Sequence, residues 1–116
     1  MATKVVTDST SYLSPEMRDA FDIRIVSLAV NFSDGAYLEE DVEVGWFYEK
    51  MASSGEIPTS SQPSVSSLVD VFEAPVADGD EVVGVFLSSA MSGTHHTALI
   101  ARDMVLEKYP DARIEI

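Results

Sequence analysis

The sequence predicts an α/β domain, a layered α/β/α arrangement around a mainly parallel sheet. Short runs of β-branched and apolar residues alternate with segments whose apolar residues recur at helical spacing, the pattern of successive strand–helix units. Two hydroxyl-rich stretches, Pro58-Thr59-Ser60-Ser61-Gln62-Pro63-Ser64 and Ser88-Ser89-Ala90-Met91-Ser92-Gly93-Thr94, interrupt this pattern where a strand gives way to a helix. In parallel sheets ligands collect at such carboxyl-end junctions.

Lys4 to Thr7 reads as a first strand, followed by a turn at Asp8-Ser9-Thr10-Ser11. Ser14 as N-cap and Pro15 in the first position then open a helix that ends near Phe21. Ile23 to Phe32 is β-branched and apolar and predicts one second strand; Ser33-Asp34-Gly35 turns the chain into a short hairpin strand at Ala36-Tyr37-Leu38. Trp46, Phe47 and Met51 at helical spacing predict a helix from Val44 to Ser53, closed by Gly55.

After the first hydroxyl loop, Ser64 is the expected N-cap of a helix carrying Val65, Leu68, Val69 and Phe72 on one face and limited by Pro75. Glu81 to Leu87 reads as the clearest buried strand. The second hydroxyl loop leads into a helix with Ala98, Leu99, Ala101, Met104, Val105 and Leu106 as its apolar stripe, ending by Tyr109-Pro110, and Arg113 to Ile116 reads as a further strand. The chain stops inside that apolar strand, which reads as a fragment.

With 116 residues and 46% apolar content the chain suits one globular domain over residues 1–116. Seven Lys plus Arg against twenty Asp plus Glu give a formal charge of −13, and the basic residues are scattered. That argues against nucleic acid and anionic membrane surfaces. Cysteine is absent, which removes disulfides, thiolate nucleophiles and cysteine-ligated metals. No long apolar leader and no run approaching the roughly 18 apolar residues of a membrane span is present, so the expectation is a cytoplasmic protein without stable membrane insertion.

Both hydroxyl stretches admit two readings. Serine, threonine and glycine are the ordinary residues of helix caps and turns. The same groups, with the free N–H donors of a helix start, also bind anions. Neither stretch contains Lys or Arg, and the next cation after Thr94 is Arg102. Hydroxyls and amides without a cation match a carboxylate or neutral head better than a dianionic phosphate, and the Gly-Lys-Ser/Thr element of a Walker loop is missing.

Asp8 could orient a hydroxyl or act as a base, or could simply close an Asx-turn. His95 and His96 could carry protons, or be solvated first-turn residues. A serine-based hydrolase or phosphotransfer enzyme would use Ser92 as nucleophile with His95 or Asp8 as base, although Ser92 and His95 are close along one helical turn and no G-x-S-x-G elbow is present. The run Glu39-Glu40-Asp41 with Glu43 reads as a solvated face, and Trp46, Phe47 and Tyr48 as core.

Asp8-Ser9-Thr10 after the first strand, then Thr59-Ser60-Ser61-Gln62-Pro63-Ser64, then Ser88-Ser89 followed by Met91-Ser92-Gly93-Thr94, resembles in order and placement the DegV family of bacterial fatty-acid-binding proteins. The resemblance runs along essentially the whole chain. It implies an N-terminal α/β domain of a longer two-domain protein whose second domain is absent from this sequence. It further implies that a long-chain fatty acid is the bound ligand, its tail in an apolar tunnel, with no metal or other cofactor and no catalysis.

By the same resemblance Ser60 and Ser92 hold the carboxylate, within a ligand-binding set that also includes Ser61, Gly93 and Thr94. The family usually carries threonine where Ser60 stands, leucine where Met91 stands and an aromatic-polar pair where His95-His96 stand. Serine keeps the donor but loses the methyl that restricts the rotamer. The implied partner is a fatty acid kinase that receives the bound acyl group.

Overall fold

Two sheets form where one was expected. The structure, a computed structural model, describes residues 2–116. Strand β1 (Thr3–Asp8) is followed by a 3₁₀ turn at Ser9–Ser11 and helix α1 (Pro15–Phe21), then β2 (Arg24–Val26), β3 (Ala29–Phe32) and β4 (Gly35–Leu38). Helix α2 (Val44–Ser54), β5 (Thr59–Ser61), α3 (Val65–Ala77), β6 (Glu81–Val85), α4 (Thr94–Lys108) and β7 (Ile114–Glu115) complete the order. The main sheet is parallel throughout, in the order β2-β1-β6-β7, and a second, antiparallel sheet has the order β4-β3-β5.

The expected single strand from Ile23 to Phe32 is therefore two strands in different sheets. Its break lies at Ser27-Leu28, and the cause is a change of hydrogen-bond partner. The β1 ladder ends at the Asp8–Val26 pair. Beyond it the Leu28 N–H donates to Ser9 Oγ at 2.9 Å and the Leu28 carbonyl accepts from the Glu39 N–H at 2.8 Å. With both backbone groups so engaged, the chain leaves the parallel sheet and β3 pairs with β4 and β5 instead.

α1 and α2 form as the sequence indicates. Ser14 Oγ accepts from the Met17 N–H, Pro15 takes the first position of α1, and Gly55 closes α2 at φ +68°, a conformation that suits glycine. Ser64 caps α3 by accepting from the Ser67 N–H. Pro75 does not end α3; it lies inside the last turn, and the helix runs to Ala77, where the Asp78 and Asp80 amides close it onto the Pro75 carbonyl.

The core lies between α3, α4 and one face of the parallel sheet, with Val6, Val26, Val82 and Ile114 of the strands meeting Leu68, Phe72 and Val76 of α3 and Ala98, Ala101 and Val105 of α4. The α4 stripe differs from expectation: Thr94, Thr97, Ala98, Ala101 and Val105 are buried, whereas Met104 is half exposed. That set follows the i, i+3/i+4, i+7 spacing of a single face, which the longer list did not.

The opposite face of the sheet is thinly covered. Glu81–Val85 alternates, with Val82 buried and Val83 and Val85 exposed, so it is not buried on both sides. α1 lies on this second face, where Ile25 shares a small cavity with Leu13 and Arg18. That follows from right-handed crossovers, because β1 to β2 and β6 to β7 step in opposite directions along the sheet. The antiparallel sheet extends the molecule to 51 × 28 × 23 Å with a radius of gyration of 15.6 Å, against about 13 Å for a compact domain of this length.

Candidate functional site

The second hydroxyl stretch does lie at the carboxyl end of a parallel strand. After β6, Ser88 turns the chain: its carbonyl accepts from the Met91 and Ser92 amides and its Oγ from the Ala90 N–H. Ser92 Oγ accepts from the Thr94 N–H at 3.2 Å and shares a hydrogen bond with Thr94 Oγ1 at 2.9 Å, while Thr94 itself is fully buried. Gly93 is the N-cap residue of α4 and has no side chain to cap with. Thr94 thus braces the loop from inside and holds the hydroxyl of the half-buried Ser92.

The first hydroxyl stretch is not such a junction. Thr59–Ser61 is itself a strand, β5, on the edge of the antiparallel sheet, with Ala29 opposite Ser61, Val30 opposite Ser60 and Asn31 opposite Thr59. Threonine tolerates a strand, and β3 offers an unpaired ladder that satisfies the backbone of the segment. Side chains alternate across a strand, so Thr59 and Ser61 stand on one face with Asn31, and Ser60 stands on the other with Val30. Asn31 Nδ2 donates to Ser61 Oγ at 2.6 Å. Ser60 is exposed, with its hydroxyl unengaged by another side chain among the described residues.

One side chain joins the two stretches. Gln62 Nε2 donates to Thr97 Oγ1 on the first turn of α4 at 2.9 Å. Its Oε1 lies against Gly93, in space that a Cβ there would need. Ser60 is two residues upstream, about 7 Å of extended chain, and Ser92 directly precedes Gly93. Gln62 thus ties the strand that carries Ser60 to the loop that carries Ser92 and Gly93, and no Lys or Arg is a hydrogen-bond partner of a hydroxyl in either stretch among the described residues. In the sequence Gln62 is one letter of the first motif with no role assigned, and nothing local there joins it to Gly93 or Thr97.

Asp8 is structural. It is 1% exposed; Oδ1 accepts from the Thr10 N–H and from Thr10 Oγ1, and Oδ2 accepts from the Leu87 N–H at 2.8 Å. The carboxylate closes the Asx-turn and also pins the exit of β6 to the end of β1. No hydrogen bond joins Ser92, His95 and Asp8 among the described residues; His95 is half-buried and His96 exposed. Among the described residues no cluster of His, Asp and Glu is arranged to hold a metal, and no helix is long and apolar enough to cross a membrane.

The acidic run is more engaged than expected. Glu39 accepts from Ser9 Oγ and from the Tyr12 hydroxyl, and Glu40 lies 3.8 Å from Arg18. Nor are the aromatics of α2 core: Trp46 and Tyr48 are exposed, and Phe32, Tyr37, Trp46 and Phe47 form an edge-to-face cluster between α2 and the antiparallel sheet. Beside that cluster a mainly apolar groove of about 340 Å³ is lined by Tyr12, Val30, Val42, Val44, Phe47 and Tyr48, with the Glu39 carboxylate on its wall. Val30 is the residue paired with Ser60, which places the groove on the Ser60 face of β3.

A family profile for DegV, described as an uncharacterised protein, matches residues 2–116. A DegV domain-containing protein of Clostridium acetobutylicum is 53% identical over 116 residues, all of this chain and 40% of that protein. The crystal structure of a stearic acid-binding protein from Eubacterium ventriosum superposes with a TM-score of 0.90 at 36% identity, over 99% of this chain and 40% of the other. DegV of Bacillus subtilis, a fatty acid binding protein, superposes with a TM-score of 0.86 at 36% identity, over 99% of this chain and 39% of its own. The chain thus spans about two-fifths of the length of these relatives.

Proposed function

The chain belongs to the DegV family, and on that premise we propose that it forms the carboxylate-holding part of a long-chain fatty acid site. Ser60 and Ser92 donate to the carboxylate, Gly93 and Thr94 shape the second loop, and Ser61 is held by Asn31 so that its neighbour Ser60 turns outward. The observation that supports this reading is the contact of Gln62 with both Thr97 and Gly93, which ties the stretch bearing Ser60 to the loop bearing Ser92, with no Lys or Arg bonded to a hydroxyl of either stretch among the described residues. Two or three charge-assisted hydrogen bonds suit a monoanionic head.

The acyl tail enters the groove between Val30, Val42, Val44 and Phe47, where burial supplies about 0.8 kcal/mol per CH₂. The protein performs no chemistry on the acid. Because Ser60 is exposed and Ser92 only half-buried, the head group stays reachable, which suits presentation to a fatty acid kinase in the cytoplasm.

Native mass spectrometry of the full-length protein tests the reading. The protein purified from cells should carry a fatty acid, and Ser60→Ala combined with Ser92→Ala should lower stearate affinity about 100-fold or more, as expected for two hydrogen bonds to a charged group. An unloaded protein, or loading untouched by the pair of substitutions, would sink it.

A further inference from the structure

We propose that Gln62 is a positioning residue for the fatty acid carboxylate, a latch that sets the spacing between the Ser60 and Ser92 hydroxyls. The inference rests on the reading of these serines as the head-group donors. What it adds is the element that makes two separate stretches act as one site.

The two hydroxyls belong to different parts of the fold. Ser60 is on an edge strand of the antiparallel sheet, and Ser92 is on the turn between β6 and α4. The backbone ladders do not fix one against the other, because β5 pairs with β3 alone. The Gln62 carboxamide supplies that link at both of its ends. Its Nε2 is held by Thr97 Oγ1 at 2.9 Å, and Thr97 is 6% exposed and rigidly seated in α4. Its Oε1 fills the space beside Gly93 that a Cβ would occupy. Glycine at position 93 is therefore explained by the partner it admits, since its φ of −75° is open to any residue.

A ligand that takes one hydrogen bond from each loop gains both only if their separation is already set, since ordering them on binding subtracts from affinity. The latch thus predicts a loss of affinity from changes that touch neither serine. Gln62→Met keeps the length and shape and removes the donor; Thr97→Val keeps the shape and removes the acceptor.

The experiment measures stearate affinity of the full-length wild type, both single variants and the double variant, with amide hydrogen exchange on the same four proteins without ligand. Each single variant should weaken binding about 3- to 10-fold, the range of one lost hydrogen bond. The double variant should be no weaker than either single, because both remove the same link. Exchange should rise in residues 88–97 as well as 59–62 when either partner is changed, a coupling that a purely local packing role would not produce.

Stearate affinities equal to wild type, or effects that multiply in the double variant, overturn the latch. So does exchange that rises only around the substituted residue. A wild type that binds no stearate defeats the proposed function instead, and the exchange measurement then still decides whether Gln62 couples the loops.

Discussion

At the scale of single residues, the nearly fully buried Asp8 acts as a brace between strands. Asp8 accepts three hydrogen bonds, from Thr10 twice and from the Leu87 N–H, and so joins the ends of β1 and β6 below the second hydroxyl loop. Asp8→Asn should cost about 1–3 kcal/mol, because an amide turned toward either set of donors leaves one of them buried and unpaired. Urea unfolding reads this, and an unchanged midpoint would mean that the carboxylate is dispensable. The Asx-turn half of its role was legible from Asp8-Ser9-Thr10, since it is local. The Leu87 half was not, because that partner is 79 positions away. Gln62 illustrates the same limit: its meaning depends on Gly93 and Thr97, which no local pattern connects to it.

Among the elements, those with local causes were legible and those with distant causes were not. Ser14 with Pro15, Ser64, and Gly55 announce α1, α3 and the end of α2 by capping chemistry. The division of residues 23–32 into β2 and β3, and the conversion of a hydroxyl loop into β5, depend on Ser9, Glu39 and the open edge of β3. The packing of α2 on the antiparallel sheet is likewise non-local. Lys50 pairs with Asp34 at 2.6 Å and sits over the rings of Phe32, Tyr37 and Trp46 at 5.2, 5.7 and 5.5 Å. The hydrogen bond from Lys50 holds the Asp34 carboxyl below its ordinary value of 3.8, and the same bond raises Lys50 above 10.5.

Those directions fix the sign of the pH dependence. The Asp34 contribution is present above the ordinary carboxylate value and is lost as pH falls through its lowered one; the Lys50 contribution is present below 10.5 and is lost as pH rises through its raised value. The thermal midpoint should therefore drop below about pH 4, and less so in Asp34→Asn. Lys50→Ala should lower the midpoint at pH 7 more than Asp34→Asn does, because it also uncovers three rings. Equal losses would show that the rings contribute nothing.

Across the whole molecule, the α/β class and the parallel sheet were legible from the alternation of strand and helix patterns, and the asymmetry of the sheet was not. One face carries the core and the other leaves Val83 and Val85 exposed. Leu68→Ala, at a fully buried position, should cost about 2–5 kcal/mol. Val83→Ala, on the bare face, should stay within about 0.5 kcal/mol. Calorimetry of the 116-residue chain separates them, and a large loss at Val83 would mean that this face is packed in solution.

The ion pairs have one more consequence, and it concerns rates. Every basic residue except Arg24 is matched to a carboxylate, Lys4 with Asp22, Arg18 with Glu40, Lys50 with Asp34, Arg102 with Asp103, Lys108 with Glu73 and Arg113 with Glu81. At long range the chain therefore presents a net charge of −13 with few free cations to soften it. A fatty acid carboxylate approaching the proposed site would meet that repulsion first, the reverse of electrostatic steering. Salt screens that repulsion over a Debye length of about 10 Å at 0.1 M. Stearate uptake followed by stopped flow should accelerate as ionic strength rises, whereas ordinary steering would slow it.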